Sequence, residues 1–232
     1  MIAAILEKLI SLTPDGQRTF FDTGKFPWVR EVETEWQRIR RELDSLLPLR
    51  ARIPNFQDLS PDQAVLTEGE QWKTFFFYAY GLPVEPNCAR CPETTRVLGK
   101  IPGMKTAMFS ILAPGKHIPG HRGPYKGVLR YHLGLLVPEP DKCRILVGKD
   151  TRNWAEGKSL IFDDSHWHEA WNDSGQHRVV LFVDFVRPLP FPLSVMNRVM
   201  IWRFSTSQFV RGPVEKAAQA RLEEEAKAAG QG

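Results

Sequence analysis

Val128-Leu-Arg-Tyr-His-Leu-Gly-Leu-Leu-Val137 reads as a β-strand whose two faces carry different chemistry. Successive side chains of a strand point to opposite sides. One side holds Leu129, Tyr131, Leu133, Leu135 and Val137; the other holds Val128, Arg130, His132, Gly134 and Leu136. So much apolar surface implies cover on both faces. Arg130 and His132 then enter a lined cavity and need partners there, because a charge buried without one is costly. The plainer reading gives the strand one solvated face. The sharper one makes these two residues part of a basic pocket for a carboxylate.

Shorter runs at 106–112, 143–147, 159–162, 169–171 and 178–186 are β-branched or aromatic and bounded by Gly, Pro, Asp or Asn. No helical spacing intervenes, which predicts an antiparallel sandwich or barrel, mainly β. Residues 72–78 add an aromatic strand. Helices are expected at both ends. Residues 2–11 are amphipathic. Over 28–47, Trp28, Val32, Trp36, Ile39, Leu43, Leu46 and Leu47 recur at threes and fours, which predicts one helix ended by Pro48. A proline-rich loop over 48–65, a short helix over 93–98, a helix over 193–204 and a charged tail at 213–229 complete the outline. The expected division is a helical and looped extension over 1–69 packing on the core, a β core over 70–190, and a C-terminal helix and tail over 191–232.

Arg178 opens Val179-Val-Leu-Phe-Val-Asp-Phe-Val186, a nearly continuous apolar run. An arginine there is often a solvated strand end. Two arginines and a histidine entering one barrel instead suit a clamp for a small dicarboxylate, because a guanidinium holds a carboxylate through two parallel bonds. His121 lies in the loop-like Pro119-Gly-His-Arg-Gly-Pro124, and His168 closes Phe162-Asp-Asp-Ser-His-Trp-His168. A lone loop histidine is usually a surface residue. A pair bracketing the central strands could converge at the barrel mouth and bind a transition metal. His117, His166 and His177 are read as exposed or as outer supports.

Composition excludes several classes. The chain has 232 residues, 42% apolar and 25% charged, so a packed core is expected and wholesale disorder is not. Its net charge of +4 is dispersed, and no nucleic-acid partner is expected. Three cysteines do not make a disulfide framework. Cys88-Ala-Arg-Cys91 lacks two further zinc ligands, so structural thiols come first, ahead of zinc or a redox pair. Glu7 and Lys8 interrupt the N-terminal apolar run, against a signal peptide. No run reaches the roughly 20 apolar residues that cross a bilayer. The expected location is cytoplasmic. Walker A, dinucleotide and HExxH motifs are lacking.

Five stretches stand in order: Phe109-Ser-Ile-Leu-Ala-Pro-Gly-Lys-His-Ile-Pro-Gly-His-Arg-Gly-Pro124, Leu129-Arg-Tyr-His-Leu-Gly-Leu135, Gly157-Lys-Ser-Leu-Ile-Phe-Asp-Asp-Ser165, His168-Glu-Ala-Trp171 and Arg178-Val-Val-Leu-Phe-Val-Asp184. Together they resemble the aspartyl/asparaginyl β-hydroxylase family over roughly residues 70–190. The resemblance implies a double-stranded β-helix, or cupin-like jelly roll, with flanking N- and C-terminal α-helices. It also implies Fe(II), the co-substrate 2-oxoglutarate and O2. Residue by residue, His121 and His168 match the iron ligands. Arg178 and Ser110 match the residues at the distal carboxylate of 2-oxoglutarate, and Arg130 and His132 those at its metal-side carboxylate. Most such enzymes add a carboxylate two residues after the first histidine; Gly123 stands there. The family it resembles binds iron through two histidines, with a water in that place. Asp164 matches the aspartate that holds this water from outside the ligand set. Ser110 and Asp164 are singled out by the resemblance alone.

The implied reaction hydroxylates an unactivated carbon and releases succinate and CO2. The resemblance supplies the β-carbon of an aspartyl or asparaginyl unit as substrate. The alternative is a lipid acyl chain, as in the lipid A hydroxylases of the same family. Residues 187–211 bear on this: Arg187, Arg198, Arg203 and Arg211 lie among Phe191, Val195, Val199, Trp202 and Phe209, with no acidic residue. Such a helix can lie on a membrane surface, here the inner membrane, or dock on the barrel or a second copy. The partners expected are a small-molecule, peptide or lipid substrate, with peripheral membrane contact through 187–211. A catalytically silent jelly roll that binds an anion is the third reading; it should lack an iron ligand or the anchoring arginine.

Overall fold

The structure, a computed structural model, describes residues 2–59, 66–67 and 69–205. The N-terminal apolar run forms helix α1 (Ile2–Ser11), and Phe20–Phe21 form a two-residue strand, β1. The single helix expected over 28–47 is two, α2 (Pro27–Thr34) and α3 (Trp36–Leu46), separated by Glu35 at φ −94° and ψ 1°. Both helices lay apolar side chains on the same core (Trp28, Val29 and Val32, then Ile39, Leu43 and Leu46), so the apolar spacing runs through the break and hides it. A 3-10 turn, Leu47–Arg52, takes up Pro48. The stretch expected to be a loop also holds a short helix, α4 (Phe56–Leu59). The tail expected at 213–229 lies outside the described residues.

The aromatic strand β2 (Trp72–Ala79) is followed by β3 (Leu82–Pro83), α5 (Glu85–Arg90) and α6 (Pro92–Leu98). The barrel strands are β4 (Met104–Leu112), β5 (Lys116–His121), β6 (Val128–Leu136), β7 (Cys143–Val147), β8 (Asp150–Asn153), β9 (Ser159–Phe162), β10 (His168–Asn172) and β11 (Arg178–Val186). Helix α7 (Leu193–Ser205) follows. β5 and β8 are additions to the expected set. β5 carries Pro119 and stands at a sheet edge, where a strand tolerates proline. β8 is exposed at all four residues, so it has no apolar alternation to read.

The strands form a seven-stranded sheet, β1-β9-β6-β11-β4-β2-β3, and a four-stranded sheet, β5-β10-β7-β8. Every pairing is antiparallel. From β4 onward the chain alternates between them: β4, β6, β9 and β11 in the large sheet, and β5, β7 with β8, and β10 in the small one. That alternation is the winding of a double-stranded β-helix, the expected jelly roll.

β6 lies between β9 and β11 and is covered on both sides. Its Leu129, Tyr131, Leu133 and Leu135 pack with Trp28, Val32, Ile39 and Leu43 of the helices. Each large side chain so buried is worth about 1.5–3 kcal/mol. The other face of the large sheet gives Met108, Leu112, Val180 and Phe182 to a second core, where they meet Ile118, Ile145, Val147 and Ala170 of the small sheet. Arg130 and His132 point to this second side, so the reading of two covered faces holds.

Helices α1 and α7 meet at one end of the barrel. Leu6 and Ile10 pack with Met200, Ile201 and Tyr125. Tyr125 donates its hydroxyl hydrogen to Asn197 Oδ1 (2.8 Å), and Asn197 Nδ2 donates to the Gly127 carbonyl (2.8 Å). The docked reading of residues 193–204 therefore holds for one side of α7; Val195, Met196, Val199 and Trp202 stay exposed. Among the described residues no helix is long and apolar enough to cross a membrane.

Candidate functional site

β5 and β10 pair antiparallel with His121 directly opposite His168. Their ring centroids are 4.1 Å apart. His121 Nδ1 lies 2.9 Å from the Pro119 carbonyl and His168 Nδ1 3.0 Å from the His166 carbonyl. Each Nδ1–H donates to the carbonyl two residues earlier, which fixes the tautomer and makes Nε2 the accepting nitrogen. Burial lowers both pKa values; His168, also beside His121 and Arg130, falls to about 3. Both rings are neutral near pH 7, and their lone pairs are available. His121 was expected in a loop and is instead the last residue of a strand. Pro119 and Gly120 disguised it. The Trp167 indole lies over Gly120, where it leaves no room for a Cβ.

Asp164 is fully buried, with Arg130 Nη2 2.8 Å from its Oδ2. The same guanidinium grips Asp184 through Nε (2.8 Å) and Nη2 (3.1 Å) and lies 4.2 Å above the Phe182 ring. Burial pushes the Asp164 carboxyl up, Arg130 pulls it back, and Asp184 and Asp163 add to the rise. Gly123 donates its N–H to the Asp164 carbonyl at 2.8 Å. A Cβ on Gly123 would fall inside the Asp164 carboxylate. The space a ligand side chain at 123 would fill is thus taken by a carboxylate from 164. Gly123→Ala is expected to cost about 1–3 kcal/mol by overpacking. Adding Asp164→Ala should recover much of the lost melting temperature. A single variant as stable as the parent would mean that this contact relaxes freely.

Arg178, the first residue of β11, is 1% exposed, with no partner for Nε. Its guanidinium carbon lies 4.3 Å above the Trp154 ring. Among the described residues no carboxylate forms a salt bridge with it. Burial draws its pKa down to about 10, so it stays charged at neutral pH. His132 is also buried, with neither ring nitrogen bonded, and packs against Trp154, Phe162 and Phe182. Burial, with Arg130 and Arg178, holds its pKa well below the usual histidine range. Ser110 accepts a hydrogen bond from Trp72 Nε1 at 3.0 Å. It faces Val180, two residues along from Leu112 and Arg178, so Ser110 and Arg178 are diagonal neighbours on the inner face.

Sequence reasoning missed Asp163. Its carboxylate is fully buried and holds Arg187 Nη1 (2.6 Å) and Lys126 Nζ (3.0 Å). Its Oδ1 accepts from the Ser165 N–H at 3.0 Å, which shapes the turn carrying Asp164. The available signal was the Asp-Asp pair itself, one more acid than the expected site used. Arg187, placed by sequence in the surface patch, is 3% exposed and belongs to this cluster. His117 stacks on Trp171 and bonds Glu169 (2.9 Å), outside the site. Cys88, Cys91 and Cys143 are free and buried. Among the described residues no three His, Cys, Asp or Glu side chains converge as a ready metal site. The barrel offers two imidazoles, with a carboxylate tied to Arg130 beside them.

A profile of the aspartyl/asparaginyl beta-hydroxylase family matches residues 33–188. The chain belongs to the aspartyl/asparaginyl β-hydroxylase family. An ornithine lipid ester-linked acyl 2-hydroxylase of Rhizobium tropici is 51% identical over 183 residues, 78% of this chain and 65% of that protein. The human aspartyl/asparaginyl beta-hydroxylase is 34% identical over 172 residues, 72% of this chain and 22% of that protein. The chain thus spans just under two thirds of one relative and about a fifth of the other. Among solved structures, the Cupin_2 domain of an XRE family regulator from Enterobacter cloacae aligns with a TM-score of 0.36 at 11% identity, covering 51% of this chain and 99% of that one. The jelly-roll assignment rests on the strand order.

Proposed function

We propose that this family member is an Fe(II)- and 2-oxoglutarate-dependent hydroxylase whose substrate is the acyl chain of a membrane lipid, at the carbon next to the ester carbonyl. The observation that carries the co-substrate is Arg178, a buried guanidinium with an unbonded Nε, in the same interior as two neutral imidazoles. A small dicarboxylate fits that donor set. In this reading His121 and His168 hold the iron through Nε2. Arg178 and Ser110 hold the far carboxylate of 2-oxoglutarate, and His132 faces its other end. Arg130 is committed to Asp184 and Asp164, so its part is to aim Asp164. Held by Arg130, Asp164 keeps its carboxylate in the space above Gly123. Trp154, Phe162 and Phe182 keep water from the interior. Bound together, ferrous iron, 2-oxoglutarate and O2 supply the oxidising power that places a hydroxyl group on an unactivated carbon.

The 51% identity to a lipid acyl 2-hydroxylase supports the lipid substrate over the aspartyl or asparaginyl unit first expected. The human relative keeps a peptide as the second reading. Anaerobic Fe(II) titration with 2-oxoglutarate, followed by absorbance, tests the site. His121→Ala and His168→Ala should each weaken iron binding by more than the ~10–100-fold typical of losing an outer support. Succinate release with an ornithine-headgroup lipid in detergent micelles, set against aspartate-containing peptides, tests the substrate. Release driven by peptide alone would overturn the lipid assignment. Failure to bind iron and 2-oxoglutarate would overturn the chemistry.

A further inference from the structure

Helix α1 has three distinct sides. Leu6 and Ile10 face α7. Glu7, Lys8 and Ser11 line a cleft of about 450 Å³ shared with Arg122, Lys126 and Trp167. Ile2, Ile5, Leu9 and Leu12 form the third side, exposed at 66, 55, 38 and 77%. At 3.6 residues per turn Ile2, Ile5 and Leu9 fall on one stripe of α1, and Leu12 follows just past its end. Beside it, α7 exposes Val195, Met196, Val199 and Trp202, and the loop ahead of it exposes Phe191. Two helices packed on each other thus each leave an apolar side exposed.

Charge identifies what covers it. Residues 187–205 contain no carboxylate. Arg198 and Arg203 are exposed on α7, Lys8 on α1 and Arg122 at the cleft. The one acid of α1, Glu7, is turned inward, its Oε1 accepting from the Lys126 N–H at 3.0 Å. A second copy across a two-fold axis would bring this basic surface against itself. An anionic leaflet complements it, and a basic, apolar-faced helix settles about 5–10 Å into the headgroup region.

The cleft is lined by sequence neighbours of the two histidines, though by neither ring. Arg122 follows His121, Trp167 precedes His168, and the Trp167 indole lies over Gly120. Trp167 is itself 57% exposed, an aromatic of the kind that sits at headgroup depth. We infer that α1 and α7 seat the enzyme on an anionic bilayer surface, with the cleft between α1 and the 163–167 turn open to the headgroup layer beside the two histidines. The inference rests on the lipid reading for its substrate, but its test needs no turnover.

That test is co-sedimentation of the full chain with vesicles, either of phosphatidylcholine alone or of phosphatidylcholine with phosphatidylglycerol. Binding is expected to the anionic vesicles and to fall with salt. Ile5→Glu with Trp202→Glu, both at exposed positions, should weaken it by at least about tenfold. Arg198→Glu should weaken it by about fivefold or more, from the worth of one basic residue near an anionic surface. Circular dichroism and melting curves equal to the parent would show the variants folded. A full chain that stays in the supernatant with both vesicles overturns the inference, as does a double variant that binds like the parent. So does a parent dimer that the double variant converts to monomer without any change in vesicle binding. Lack of hydroxylase activity would leave these outcomes readable and would count against the proposed function alone.

Discussion

Under the proposed 2-oxoglutarate chemistry, Arg178→Met is expected to raise the melting temperature while it removes co-substrate-dependent turnover. The guanidinium is fully buried, unpaired by any described carboxylate, and still charged near pH 7. An isolated charge in such a place costs several kcal/mol even after relaxation. Stacking on Trp154 returns about 0.5–2 kcal/mol of that. Methionine fills similar length without the charge. In a protein of this size each kcal/mol is worth about 2–4 °C, so a gain on the order of 5 °C is expected by thermal melt. The 2-oxoglutarate side moves the other way. Losing one partner of a buried ion pair costs about 3–5 kcal/mol, a hundred- to several-thousand-fold loss in kcat/KM for 2-oxoglutarate. Iron affinity in its absence should barely change. Arg178→Lys should fall between, because an ammonium keeps the charge but lacks the planar fork. A less stable Arg178→Met with an unaltered 2-oxoglutarate requirement would make the residue structural.

Asp163→Asn is expected to destabilise the fold by about 3–5 kcal/mol, or roughly 10 °C in melting temperature, because it leaves Arg187 and Lys126 buried without their shared anion. Burial alone would push the Asp163 carboxyl up. Arg187, Ser165 and Lys126 outweigh it and hold the pKa below the ordinary 3.8. A carboxyl that is more acidic folded than unfolded stabilises above its unfolded pKa, and that contribution is lost as pH falls through the folded value. The parent should therefore lose stability steeply below about pH 4, and Asp163→Asn should show a shallower acid limb in melts taken against pH. Parallel acid limbs would place the acid sensitivity elsewhere.

Most of the fold was legible because the central strands are written in apolar alternation. β6 announced both covered faces, and the anomalous pair Arg130 and His132 announced the interior. Sequence failed where local chemistry served a tertiary contact. Pro119 and Gly120 read as a turn, but the edge position of β5 makes the proline harmless and the Trp167 indole requires the glycine. The break at Glu35 leaves no trace in the apolar spacing. Asp163 and Asp164 are identical neighbours with different surroundings: one meets Arg187 and Lys126, the other Arg130 and the space above Gly123. Nothing in the pair of letters tells them apart. Arg187 looked like the other arginines of its segment, because a burial partner far upstream is not visible from composition.

The direct opposition of His121 and His168 across two strands means that their spacing is set by a sheet ladder and not by the loops between them. Insertions and deletions in those connecting loops can accumulate without altering the distance between the rings. A single residue inserted in β10 just after His168 would do the reverse, turning His168 to the other side relative to the rest of its strand and dismantling the pair. The ladder is irregular between His168 and Ala170, yet the two histidines stay opposite, so it is the register at this one pair that fixes the site.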